Sequence, residues 1–190
     1  MPKLWKGALI GLGCVPLLLA AAFVIFFKVI PHRIASRLQP PVLEHTLSDA
    51  PDFTFRTLDG SPRRLSDSRG KVIFLDLWGT WCIQCIAEMP TVQQLYEHYQ
   101  NAPDVQFLII SRLDSPSAVR AYSRRNRFTL PFYVTEDRDV PDSMYLAQYP
   151  ATFIYARDGS IAGYHAGASD WSTKSVIKFI DQLRARQLQQ

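Results

Sequence analysis

Two cysteines separated by two residues, in the run Trp81-Cys82-Ile83-Gln84-Cys85, are the side chains best suited to chemistry. They fall between an apolar run at residues 71–77 (KVIFLDL) and a helical pattern that begins at Ile83, so the spacing predicts a strand–helix junction. At a helix N-terminus, unpaired backbone N–H groups and the positive end of the macrodipole stabilise a thiolate on the first cysteine. The second cysteine lies one turn further in, close enough to form a disulfide with the first. Such a pair can attack, form a mixed disulfide and have it resolved by its neighbour. Other uses fit less well. Zinc needs four ligands, and Cys82, Cys85 and His98 match C-x2-C-x12-H without a further His or Cys at finger spacing. Haem attachment needs a His after the second cysteine, where this chain has Ile86. A purely structural disulfide usually bridges distant segments. The third cysteine, Cys14, sits in an apolar N-terminal run and reads as a small apolar residue.

The elements that must hold this pair alternate in type. The 71–77 run is nearly continuous in apolar residues, as expected of a strand buried on both faces. A helix follows to about Tyr99, with Ile86, Met89, Val92, Leu95, Tyr96 and Tyr99 on its apolar side and Pro90 as an expected kink. Residues 105–111 (VQFLIIS) form a second buried strand. Ser115-Pro116 opens a further helix to about Arg127, and residues 131–135 a short strand. Residues 142–148 suggest a helical turn or two. Two strands at 151–155 and 160–165 flank Arg157-Asp158-Gly159, a hairpin signal, and residues 172–185 close the chain as an amphipathic helix. The order argues for an α/β fold with a mixed sheet flanked by helices.

The chain has 190 residues, 47% hydrophobic and 20% charged, which excludes disordered and fibrous classes and leaves room for one domain plus a tail. Its formal charge is +4. Lys3, Lys6, Lys28, Arg33 and Arg37 are unopposed by any acid in the first 37 residues, and beyond them 16 cations face 17 acids. A nucleic-acid partner is therefore not expected, because the folded part lacks a basic surplus. Residues 7–27 are 21 consecutive uncharged, mostly apolar positions. As a helix they would span about 30 Å, a hydrocarbon core. A membrane anchor over residues 1–30, a Pro-rich stalk or lead-in over 31–50 and a globular domain over 51–188 follow. A cleaved signal peptide and a lipoprotein at Cys14 are the alternatives, each with a poor processing site.

The resemblance is carried by residues spread over about three quarters of the chain. They are the run from Asp76 through Trp78 and Trp81 to Cys85, then Glu88-Met89-Pro90, Tyr149-Pro150-Ala151-Thr152, Asp158-Gly159 and Gly167. With them the sequence resembles the thioredoxin-fold, membrane-anchored TlpA/ResA-like thiol-disulfide oxidoreductases, related to the DsbE/CcmG proteins of cytochrome c maturation. That resemblance implies a catalytic Cys82–Cys85 disulfide and no other cofactor or metal. It implies that Pro150 is a cis-proline facing the pair, where Tyr149, Pro150, Ala151 and Trp81 meet an extended protein substrate. It places Asp76 beneath Cys85, where burial would raise its pKa and let it take and return the Cys85 proton. It assigns Glu88 a part in tuning the thiols. The family usually has Pro before the second cysteine, and Gln84 stands there instead.

The expected function is thiol-disulfide exchange on protein partners outside a bacterial cytoplasmic membrane. The chain would act as a reductase working with a membrane electron donor or acceptor, with apocytochrome c cysteines one candidate substrate. Disulfide oxidation or isomerisation, and a thiol-based copper chaperone, are the alternatives. His165 reads as an ordinary polar strand residue.

Overall fold

The computed structural model describes residues 15–44, 51–144 and 148–186. At its centre lies a seven-stranded mixed sheet in the order β2-β1-β5-β4-β3-β6-β7. The strands are β1 (Thr54–Thr57), β2 (Pro62–Arg64), β3 (Val72–Trp78), β4 (Val105–Arg112), β5 (Phe132–Thr135), β6 (Ala151–Tyr155) and β7 (Ile161–Ala166). Helix α1 (Ile83–Tyr99) joins β3 to β4, α2 (Pro116–Asn126) joins β4 to β5, and α3 (Lys174–Ala185) ends the domain. Strands β3, β4 and β5 run parallel, while β6 pairs antiparallel with β3, and β7 with β6.

The continuous apolar character of β3 matches its position, since all seven of its residues are buried. Alternation along it separates two cores. Val72, Phe74 and Trp78 join a cluster with α1, α2 and α3, whereas Ile73, Leu75 and Leu77 pack with Phe53, Phe55, Leu65, Val140 and Met144. The two parallel crossovers advance in the same direction along the sheet, so right-handed connection places α1 and α2 on one face. The opposite face is closed by the 3-10 turns Leu65–Ser68 and Asp142–Met144 rather than by long helices.

Local signals account for the helix ends. Cys82 is the N-cap of α1, its sulfur accepting from the Cys85 N–H at 3.2 Å. Pro90 lies exposed within α1, which continues to Tyr99; the missing N–H costs one hydrogen bond without ending the helix. Ser115 caps α2 through the Ala118 N–H, Pro116 starts it, and Arg127 ends it at φ +59°. Helix α3 starts two residues later than the sequence pattern suggested. Asp170 accepts hydrogen bonds from the Ser172 N–H and hydroxyl, holding Ser172 in a turn, and Thr173 becomes the N-cap.

Two features were not anticipated. The first is the β1–β2 hairpin, whose strands TFRT and PRR lack an apolar alternation; β2 is fully exposed. The second is the course of residues 39–44, which run along β7. Glu44 bridges Tyr164 by reciprocal backbone hydrogen bonds, the Gln39 carbonyl accepts from the Asp170 N–H, and Leu43 lies against Gly163. N-terminal to them, residues 15–24 are helical, Ile25–Val29 form a π-helical turn, and the helix Ile30–Ala35 packs on α1. The first half of the expected anchor lies outside the described residues, among which no helix is long and apolar enough to cross a membrane.

Candidate active site

Cys82 and Cys85 are joined in a disulfide, with Cα atoms 5.3 Å apart. Their surroundings differ. Cys85 is fully buried, whereas Cys82 keeps 8% of its surface at the lip of the domain, beside a half-exposed Trp81. The loop that delivers Cys82 is pinned from β4. Asp114 accepts from the Thr80 N–H and hydroxyl, both at 2.7 Å, and from the Ser111 hydroxyl at 2.6 Å. Leu113, at φ +64°, turns the chain so that Asp114 points back. The Trp81 indole folds over Gly79, where a Cβ would collide with it, and donates to the Arg112 carbonyl at 3.2 Å.

The segment around Pro150 meets the cysteine loop from the other side. The Tyr149–Pro150 peptide is cis. The Tyr149 ring stands edge-on to Trp81 at 5.7 Å between centroids, and the Arg112 guanidinium lies 5.1 Å from its centre. Ala151 is buried, paired in register with Leu77 and Ala166. The Pro150 carbonyl accepts from the Gly167 N–H at 2.8 Å.

Behind the disulfide lie two buried carboxyls, Asp76 and Glu88, with no solvent-exposed surface. Asp76 falls between Phe74 and Trp78 in the strand alternation, which turns it toward the helix side where Cys85 packs. Its Oδ1 accepts from the Thr152 hydroxyl at 3.3 Å, across the β3–β6 register. Desolvation pushes its pKa from 3.8 up to about 7. Glu88 follows Cys85 by one helical turn, and its Oε2 accepts from the Ser169 N–H at 2.9 Å and the Trp171 indole N–H at 3.0 Å. Burial, with the Asp76 charge adding to it, holds the Glu88 carboxyl well above the usual carboxylate range. Asp76, raised to about 7, and Glu88, raised well above its ordinary value, thus both favour the protonated form more than an exposed carboxyl does.

The structure thus joins Cys82 to Cys85, sets Glu88 one helical turn beyond Cys85 and within electrostatic reach of Asp76, and places Trp81 against Tyr149, the neighbour of Pro150. His98, the remaining residue of the zinc-like spacing, sits next to Tyr99 in the last turn of α1, at the far end from the cysteines.

Sequence reading missed three contributors. Asp114, Ser169 and Trp171 act across 34 to 83 positions of chain, partly through backbone N–H groups, and no local pattern announces them. For Asp114 the Ser115-Pro116 cap just after it was the one available hint of a tight turn.

The AhpC/TSA family model matches residues 47–164, more than half of the chain. The chain belongs to this family. Among curated relatives, the thiol-disulfide oxidoreductase ResA of Geobacillus thermodenitrificans is 34% identical over 131 residues, covering 69% of this chain and 73% of that one. ResA of Bacillus subtilis is 32% identical over 130 residues, covering 68% and 70%. A crystal structure of a Bacteroides vulgatus protein described as a thiol-disulfide oxidoreductase superposes with a TM-score of 0.59. It is 28% identical and covers 72% of this chain and 96% of that one. The protein is a thiol-disulfide oxidoreductase of the thioredoxin fold, as its sequence resemblance implied.

Proposed function

We propose that this oxidoreductase reduces protein disulfides outside a bacterial cytoplasmic membrane, held there by its N-terminal apolar segment. The observation that carries the reading is the asymmetry of the pair. Cys82 is the sulfur at the surface and at the helix N-terminus, and Cys85 is enclosed with two protonatable carboxyls.

In the reduced enzyme the Cys82 thiolate attacks one sulfur of the substrate disulfide. A Cys82–substrate disulfide forms, the substrate S–S bond breaks, and the departing thiolate takes a proton from solvent. Cys85 then loses its proton to the carboxyl pair and attacks Cys82. The Cys82–Cys85 disulfide forms and the second substrate thiol leaves, so two electrons pass to the substrate. A membrane electron donor restores the dithiol. An extended substrate segment lies along residues 149–151. Because the Pro150 carbonyl is taken by Gly167, the Tyr149 backbone is the part of this loop left for it, with the Trp81 ring alongside. Cysteines of apocytochrome c are one candidate substrate class. The near-neutral balance of residues 38–190 argues against nucleic acid as a partner.

Removal of the resolving thiol tests this. In native membranes a Cys85→Ser chain should accumulate defined protein partners linked through Cys82, released by dithiothreitol and absent from Cys82→Ser. Only non-specific adducts would contradict defined clients. Partners trapped solely when presented as dithiols to the oxidised enzyme would favour an oxidase.

A further inference from the structure

One side chain beside the carboxyl pair has no part in the exchange steps above. His165, near the end of β7, faces Thr152 across the β6–β7 register, and Thr152 is the residue that donates to Asp76. Its Nδ1 lies 3.0 Å from the Val42 carbonyl, and its Nε2 lies 2.8 Å from the Ser169 hydroxyl. A carbonyl only accepts, so Nδ1 carries the hydrogen. In the neutral ring Nε2 is then the acceptor, and the Ser169 hydroxyl donates to it. Trp171 meets the same imidazole edge-on, with centroids 6.0 Å apart. The two donors that hold Glu88 Oε2, the Ser169 N–H and the Trp171 indole N–H, therefore both belong to residues resting against His165.

We infer that His165 is a positioning residue for Glu88, acting through Ser169 and Trp171 and itself held in place by the incoming segment at Val42. The imidazole fixes the Ser169 hydroxyl and supports the Trp171 ring. The loop between Gly167 and Trp171 then keeps its two donors on one oxygen of a carboxyl whose other oxygen has no hydrogen-bond partner among the described residues. The other bonds of this loop reinforce it: the Thr91 hydroxyl accepts from the Trp171 N–H at 3.1 Å, and its one hydrogen is shared between the Glu88 carbonyl at 2.8 Å and the Ser169 carbonyl at 3.3 Å. Loss of the ring leaves Glu88 freer and its proton affinity altered, which changes how far the thiol form is favoured over the disulfide. The inference rests on the part proposed for Glu88 in exchange.

The measurement is the equilibrium constant of the full chain with dithiothreitol at pH 7. One neutral hydrogen bond corresponds to about a 2- to 10-fold change, and His165→Ala should move the constant by that much. His165→Gln, whose amide still reaches Ser169, should retain most of the wild-type value, and Ser169→Ala should reproduce the loss. In a Glu88→Gln background, adding His165→Ala should change nothing further. An unchanged constant in His165→Ala, or an equal shift in both backgrounds, overturns the inference, as does a loss of melting temperature without a redox shift. If His165→Ala does not fold, the same comparison with Ser169→Ala decides. A Glu88→Gln chain indistinguishable from wild type would instead remove the role of Glu88, and the exchange reading would stand on the cysteines alone.

Discussion

The two buried carboxyls give the site its pH behaviour. A folded pKa for Asp76 of about 7 against an ordinary 3.8 means that the fold holds a proton the unfolded chain releases. That stability is complete below about pH 4 and is lost as pH rises through 7, and Glu88 contributes in the same direction. Urea unfolding of the oxidised protein should therefore show greater stability at pH 5 than at pH 8, by about 1–3 kcal/mol, and Asp76→Asn should reduce the difference to the part that Glu88 supplies. A second prediction concerns Gln84, which stands exposed where the resembled family carries Pro. Gln leaves a backbone N–H in the first turn of α1, favouring the Cys82 thiolate and a more oxidising pair. Gln84→Pro should lower the reduction potential by more than about 10 mV, roughly 0.5 kcal/mol for two electrons, in equilibrium with a reference thiol. No change within that margin would remove the argument.

At the scale of elements, the site is the meeting of three loops, one after β3, one after β4 and one before β6, with the loop after β7 behind them. Asp114 joins the first two through two hydrogen bonds from Thr80 and is itself held by the Ser111 hydroxyl. Asp114→Ala should cost about 1–3 kcal/mol in chemical unfolding and speed proteolysis within residues 79–82. The strands and helices of this frame were legible because they carry strong periodicity: β3 and β4 as unbroken apolar runs, α1 by its 3.6-residue stripe, α2 by Ser115-Pro116. The hairpin at β1–β2 was not, since three- and four-residue strands of Arg, Thr and Pro look like loop until pairing reveals them. Within the site, Cys82 and Cys85 were legible from their spacing at a strand–helix junction, and the burial of Asp76 from the family resemblance. His165 lies in β7, as its reading as a polar strand residue expected, but its hydrogen bonds were not legible. Its partners, Val42 and Ser169, are a backbone carbonyl 123 positions away and a serine whose role depends on loop shape.

Across the whole molecule, the incoming segment covers the edge strand β7, while the catalytic loops leave the interior strands β3, β4 and β6. Residues 39–44 meet β7 through Val42 and Glu44 and the loop after it through Gln39, and the Tyr164 hydroxyl donates to the Glu44 carboxylate at 2.6 Å. A chain beginning at Leu38 should be soluble, with a charge near zero. One beginning at residue 45 should melt lower, by about 2–4 °C for each kcal/mol those contacts supply. Equal melting temperatures would mean that the segment contributes nothing. The basic surplus of the full sequence belongs to its first 37 residues, which fits a tether and leaves the exchange domain electrostatically balanced. The central claim is that one sulfur attacks and the other waits, enclosed with its proton acceptors. Timed alkylation of the fully reduced chain with iodoacetamide at pH 7, read by mass spectrometry, tests it most directly. Cys82 should be modified at least about tenfold faster than Cys85; equal rates, or faster modification of Cys85, would contradict the assignment.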